Sequence, residues 1–133
     1  MNITRRTDYA IHLIADLSEN MNKPMGLRTL ADQHGVTYAF ARTVQQGLLK
    51  AGIVTTARGI NGGIKLARPL KEISLLEVFE AAQDPLKKAF SARNSSWCNC
   101  EDACISEEAW ISTRDVLGEH LSSIKLSAII KTK

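Results

Sequence analysis

The sequence predicts a mainly α fold with one small β-hairpin, and three observations carry that prediction. Apolar residues recur at helical spacing through most of the 133 residues. The exception is G-I-V-T-T-A-R-G-I-N-G-G-I-K-L, from Gly52 to Leu66, where β-branched residues flank a glycine-rich turn. Asn61-Gly62 in that turn is a strong hairpin signal, because both residues tolerate φ > 0. Just upstream, two helical patterns meet at His34-Gly35, a tight corner. A two-stranded hairpin does not hold itself together in water, so the helices must support it. Helix, tight turn, helix and hairpin together are the plan of a winged helix-turn-helix, here followed by a long C-terminal helix.

In chain order, Thr7 is the expected cap of a first helix, with Ala10, Leu13, Ile14 and Leu17 inward and Arg5 and Arg6 just before it. Asp8, His12 and Asp16 are four apart and so stack along the outer face. Residues 20–26, including Pro24, form a turn. Leu27, Leu30 and Ala31 mark a short second helix that Gly35 ends. Thr37 caps a third helix with Phe40, Ala41, Val44 and Leu48 inward, and Gly47 inside it costs about 1 kcal/mol relative to Ala. After the hairpin, Pro69 closes the wing and Ser74 caps a fourth helix carrying Leu75, Leu76, Val78 and Phe79.

From Asp84 through the Ser/Asn-rich residues 91–96 the pattern reads as loop. The last helix is expected from about 106 to 130. Trp110, Leu117 and Ile124 repeat every seven residues on it, and Leu121 and Ala128 fill the complementary seam. An apolar seam on so small a chain points to a homodimer, since paired half-sites need paired readers; the competing reading packs this helix on its own domain. The expected division is a winged helix-turn-helix over 1–82, a cysteine-containing sensor loop over 83–104, and a dimerisation helix and tail over 105–133.

Charge separates the two halves. Residues 1–71 hold ten Lys/Arg against four Asp/Glu, whereas residues 72–133 hold seven against ten. A basic half suits a polyanion, and a pseudo-palindromic double-stranded DNA operator is the expected partner. On the third helix Thr37, Tyr38, Arg42, Thr43 and Gln46 are placed to read bases or hold phosphates. Arg58, Asn61 and Lys65 on the wing, with Arg5, add phosphate contacts; Arg68 adds charge beside them. No apolar run is long enough for a membrane span and no signal peptide precedes the helices, so the expected location is cytoplasmic. A nucleotide loop, a paired-carboxylate cleft and a Ser/His arrangement are all missing, which argues against an enzyme.

Three cysteines, Cys98, Cys100 and Cys104, fall in one short run, W-C-N-C-E-D-A-C. In a reducing compartment such a cluster points to metal or redox chemistry rather than a disulfide framework. An iron–sulfur centre and a structural zinc both want four ligands, so a fourth must come from elsewhere. A thiol redox switch needs none.

The runs L-A-D-Q-H-G-V-T, L-L-K-A-G-I-V, R-G-I-N-G-G-I-K-L-A-R-P and I-S-L-L-E-V resemble the Rrf-type winged-helix regulators, the NsrR/IscR-like iron–sulfur-sensing repressors of bacteria. The resemblance covers Thr7 to about Ile130, and the wing motif is its most specific part. It implies an obligate dimer through the last helix, and an iron–sulfur cluster bound by the cysteines that controls DNA affinity in response to nitric oxide, iron or redox state. The expected cluster is [2Fe-2S], with [4Fe-4S] as the alternative. It also implies a fourth ligand from the first helix of the partner subunit: an acidic residue matching Asp8 in the nitric-oxide-sensing branch, or a histidine matching His12 in other relatives. His120, beside the seam of the last helix, is the weaker candidate, and His34 at the helix-turn reads as structural. One departure stands out, for C-x-C-x3-C is more compressed than the family's usual cysteine spacing. The same regulator using these cysteines as a thiol switch or zinc site is the competing reading.

Overall fold

The computed structural model describes residues 3–20, 23–60, 62–83, 85–90 and 106–130. Three helices come first, α1 (Arg5–Glu19), α2 (Leu27–Gln33) and α3 (Tyr38–Lys50). An antiparallel hairpin follows, β1 (Val54–Ala57) with β2 (Gly63–Leu66). After a 3-10 turn at Leu70–Glu72 come α4 (Leu75–Ala82), α5 (Leu86–Ala89), α6 (Glu107–Ser123) and α7 (Leu126–Ile129). This is the expected winged helix-turn-helix with a long helix near its C-terminus. Among the described residues no helix is long and apolar enough to cross a membrane.

The core is where the helical periodicity put it. Leu13, Ile14 and Leu17 of α1, Leu30 of α2, Val44 and Leu48 of α3, Ile64 of β2 and Val78 of α4 are all fully buried. Each such side chain contributes about 1.5–3 kcal/mol relative to exposure. The α2–α3 corner follows the prediction: Gly35 has φ 66°, and Thr37 Oγ1 accepts from Phe40 N at 3.1 Å. Gly47 has a packing reason to be in α3, because a Cβ there would overlap the Ala81 carbonyl oxygen of α4.

The start of α1 differs from the expectation. Thr4, not Thr7, is the N-cap, with its Oγ1 accepting from Thr7 N at 3.3 Å, so Arg5 and Arg6 lie inside the first turn. Thr7 is buried instead, and its hydroxyl donates to Gln83 Oε1 just past α4. Thr4 N donates to the same oxygen at 3.2 Å.

The hairpin pairs Val54 with Leu66 through to Ala57 with Gly63, so the connection spans residues 58–62 rather than a two-residue Asn-Gly turn. Positive φ falls on Gly59 (105°); Asn61 lies outside the described residues. Support comes from the turn before α2. Met25 and Ile64 exchange backbone hydrogen bonds of 2.9 and 2.8 Å, which ties the wing to the helices. A full capping box holds Ser74 and Glu77 at the start of α4. The loop expected from Asp84 contains the one-turn α5, whose Leu86 is buried.

The last helix is shorter than the heptad reading required. It ends at Ser123, and Ile124 and Ala128 leave its seam. The cause is backbone pairing with the segment before α4. Leu75 N donates to Ile124 O at 2.8 Å, Leu126 N donates to Ile73 O at 2.9 Å, and Ser74 bridges Lys125. That pairing seats Leu126 fully in the core.

Candidate DNA interface and sensor pocket

The amphipathic pattern of α3 buries Ala41, Val44 and Leu48 and leaves Tyr38, Ala39, Arg42, Thr43 and Gln46 exposed along the other side. Thr37 is exposed at its start; its oxygen caps the helix while its O–H remains available to donate. Thr43 donates its hydroxyl to Ala39 O at 3.1 Å. The N-terminal end of this helix is braced by a residue the charge pattern did not single out. The Arg28 guanidinium of α2 lies 4.6 Å from the Tyr38 ring centroid, a cation–π contact that holds the ring and sets a second cation beside it. Arg28 is a lone cation on a short helix, and its partner belongs to the next helix, so no local spacing exposes the pair.

On the wing Arg58 is exposed and Lys65 half-buried opposite Thr55. Arg68 is occupied otherwise. Its guanidinium donates to Gly52 O (3.4 Å), Glu72 O (3.2 Å) and Glu77 Oε1 (2.9 Å), so it clasps the wing base to α4. Burial alone would raise the Glu77 carboxyl, but the Ser74 amide and then Arg68 outweigh it and hold it below the ordinary glutamate value.

A second group of predicted residues converges on the outer side of α1. Arg5, Asp8, Tyr9 and His12 line an open pocket of about 260 Å³ together with His34, Val36 and Phe40. Arg5 lies 5.9 Å from the Phe40 ring centroid, so it sits against the helix-turn-helix rather than apart from it. Asp8 Oδ1 and His12 Nε2 are 3.8 Å apart, with side chains 73% and 57% exposed, so both are open to an incoming ligand. Asp16 is engaged with His34, Nε2 to Oδ2 being 2.6 Å, which closes the α2 corner onto α1. The His34 ring also lies beside that of His12, with centroids 5.5 Å apart and planes tilted by 45°. Tyr9 was not singled out by sequence. Its hydroxyl is buried without a partner among the described residues, and burial, with Asp16 adding to it, raises its pKa.

Cys98, Cys100 and Cys104 lie outside the described residues. Among those described, no group of three or more His, Cys, Asp or Glu could hold a metal ion. Asp8 and His12 fit the part of an added ligand to thiolates. One is a carboxylate and the other an imidazole, both are exposed, and among the described residues neither is held by a strong partner.

Around α6 the apolar residues are not confined to one stripe. Leu117 and Leu121 are half-buried, and Gly118 between them lies near Leu86 of α5. Trp110, Ile111 and Val116 stay exposed, at 44%, 38% and 65%. His120 is exposed on the same helix.

Comparison with known proteins agrees with the fold. The family model Rrf2, described as iron-dependent transcriptional regulator, matches residues 3–132. The HTH-type transcriptional regulator NsrR of Shouchella clausii is 32% identical over 107 residues, which cover 78% of this chain and 71% of that one. Among solved structures, T. potens IscR superposes with a TM-score of 0.73 at 22% identity, covering 98% of this chain and 87% of that one. CymR, the global cysteine regulator of B. subtilis, superposes at 0.74 and 20% identity, covering 98% and 96%.

Proposed function

Since the chain belongs to the Rrf2 family of iron-dependent transcriptional regulators, we propose that it is a homodimeric repressor whose grip on a pseudo-palindromic operator is set by an iron–sulfur cluster sensing nitric oxide, iron or redox state. The observation that carries the DNA reading is the exposed face of α3. Tyr38, Arg42, Thr43 and Gln46 share it, its N-terminus is capped by Thr37 and braced by Arg28, and the wing adds Arg58 and Lys65. Arg42 suits a guanine edge and Gln46 an adenine edge, whereas Tyr38, Thr43, Lys65 and Arg58 suit phosphates. Asn61 joins the wing contacts. The winged unit over 1–82 reads DNA, residues 83–104 sense, and 105–133 dimerise, all in the cytoplasm.

Dimerisation is supported by α6. A helix with apolar residues on several sides is a buried helix, and its own domain covers only part of it. Trp110, Leu117 and Leu121 are the proposed seam; Ile124, beyond the end of the helix and paired with Leu75, is not part of it.

Cys98, Cys100 and Cys104 would hold the cluster, with Asp8 of the partner subunit as fourth ligand and His12 as the alternative. When bound, the cluster supplies reactivity toward nitric oxide and oxygen. The chain's own residues do the rest. Asp8 and His12 share a pocket with Val36 and Phe40 of the helix-turn-helix, so a load on α1 reaches the DNA-reading helix through packed side chains. Gln83, the last described residue before Asp84, is hydrogen-bonded to Thr4 and Thr7 and ties the start of the sensor loop to the same turn of α1. A shift of either side thereby biases one rigid unit against the other.

A second reading keeps the DNA binding and makes the cysteines a thiol switch or zinc site. The compressed C-x-C-x3-C spacing favours it. Anaerobic purification separates the two: a cluster colours the protein and is bleached by chelation, whereas thiols and zinc are colourless. Replacing Asp8 or His12 with Ala then identifies the fourth ligand by its effect on the spectrum.

A further inference from the structure

The wing ends in a side chain that neither the core nor the charge pattern uses. Gly62 N donates to Gly59 O at 2.9 Å, closing a tight turn over Ile60. Ile60 is fully exposed. Gly, Pro, Asn, Asp and Ser suit such corners; a β-branched apolar residue does not. A scattered surface isoleucine would pass without comment, but this one stands at the tip of a held scaffold. A Cβ on Gly62 would overlap the Ala57 and Gly59 carbonyls, and one on Gly63 would overlap the Met25 carbonyl. Met25 in turn exchanges both backbone hydrogen bonds with Ile64. The tip is therefore presented at a set distance from the helix-turn-helix. Two residues before Ile60 stands Arg58, exposed, and Gly59 between them has φ 105°.

A cation beside a rigidly presented branched apolar group matches the minor groove. Its narrow stretches attract guanidinium groups, and apolar wedges, isoleucine among them, unstack base steps there and bend the duplex. We propose that Ile60 enters the operator's minor groove beside Arg58 and wedges against a base step, so that the protein selects for deformable sequence beneath the wing. The inference rests on the DNA-binding reading above and deepens it. It assigns sequence preference to a residue that makes no hydrogen bond.

The test uses the full-length protein and a duplex selected by it from a random 40-base-pair library, with a scrambled duplex for comparison. Affinity is measured across a salt series, and bending by energy transfer between dyes on the duplex ends, for wild type, Ile60→Ala, Ile60→Leu and Arg58→Ala. Ile60→Ala should bind the selected duplex about tenfold more weakly, as expected for losing most of one buried apolar side chain. It should bend the duplex less, leave the scrambled duplex nearly unaffected, and keep the wild-type salt slope because no phosphate contact is lost. Ile60→Leu should retain most of the affinity and the bend. Wild-type affinity and bending in Ile60→Ala would overturn the proposal, as would equal weakening on both duplexes. Arg58→Ala tells the two failures apart. If it flattens the salt slope while Ile60→Ala is silent, the wing still binds DNA and only the wedge falls. If Arg58→Ala is silent too, the wing is not on DNA, and the proposed wing contacts fall together with the wedge while the α3 reading stands.

Discussion

Replacing Gly47 with Ala sets two physical effects against each other. Helix propensity alone favours Ala in the interior of α3 by about 1 kcal/mol. The structure opposes it, because the new Cβ would overlap the carbonyl oxygen of Ala81. That oxygen belongs to the backbone of α4 and cannot swing aside as a side chain could. Relief requires moving α4, which carries Val78 and Phe79 into the core. Overpacking of this kind costs about 1–3 kcal/mol, and a backbone contact belongs at the upper end. With the propensity gain deducted, Gly47→Ala should be destabilised by about 1–2 kcal/mol. At this chain length that lowers Tm by roughly 3–10 °C. The assay is thermal unfolding at fixed protein concentration, since the melting of a dimer depends on concentration, with denaturant titration to confirm an unchanged m-value. Gly118→Ala is the internal control. Gly118 is also within a helix, but its Cβ would meet Leu86 Cδ1 at an ordinary 3.7 Å, so the substitution should be neutral or stabilising. A Gly47→Ala protein that melts above wild type would refute the close α3–α4 approach.

Three further outcomes are expected. Arg68→Ala removes hydrogen bonds to two carbonyls and the half-exposed Glu77 pair, and should cost about 1–3 kcal/mol in urea titration. Because the Glu77 carboxyl is lowered in the folded state, its contribution is present above the ordinary glutamate value and is lost as pH falls through the lowered one. The gap between wild type and Arg68→Ala should therefore narrow in acid, and a constant gap would remove Glu77 from the explanation. Trp110→Asp and Leu121→Asp should give monomers on sedimentation, because an unpaired charge at a buried seam is costly; Trp110→Asp is the cleaner test, its side chain being exposed in the single chain. Stable dimers in both would place the subunit contact elsewhere. Arg58→Ala should flatten the log–log salt dependence of DNA binding by about one unit, while Arg42→Ala should cost about 1–3 kcal/mol chiefly at one base position.

The sequence made the helix-turn-helix legible because its signals are local. Apolar spacing marked the inner faces of α1 and α3, and Gly35 and Thr37 marked the corner between α2 and α3. What it concealed depends on residues distant in the chain. Thr7 has the chemistry of a cap, but its hydroxyl is claimed by Gln83, so Thr4 caps α1. Ile124 continues the heptad on paper, yet pairing with the strand-like segment before α4 ends the helix and sends Leu126 into the core. Arg68 counted as wing charge until Glu77 claimed it. For the candidate site, the residue types were readable and their grouping was not. Asp8 and His12 were visible as neighbours on one helix face, whereas the addition of His34, Val36 and Phe40 to the same pocket comes from the packing of α1 on the helix-turn-helix.

The most direct test of the central claim is to purify the protein without oxygen and record its visible spectrum with an iron and sulfide count. Operator affinity is then measured before and after the cofactor is removed by chelation. Visible absorption with stoichiometric iron and sulfide, lost in Cys98→Ser, Cys100→Ser and Cys104→Ser without loss of fold, is expected. So is a DNA affinity that changes when the colour is bleached. A colourless protein that contains neither iron nor sulfide and cannot be reconstituted would contradict the cluster and leave the thiol switch as the account of these cysteines.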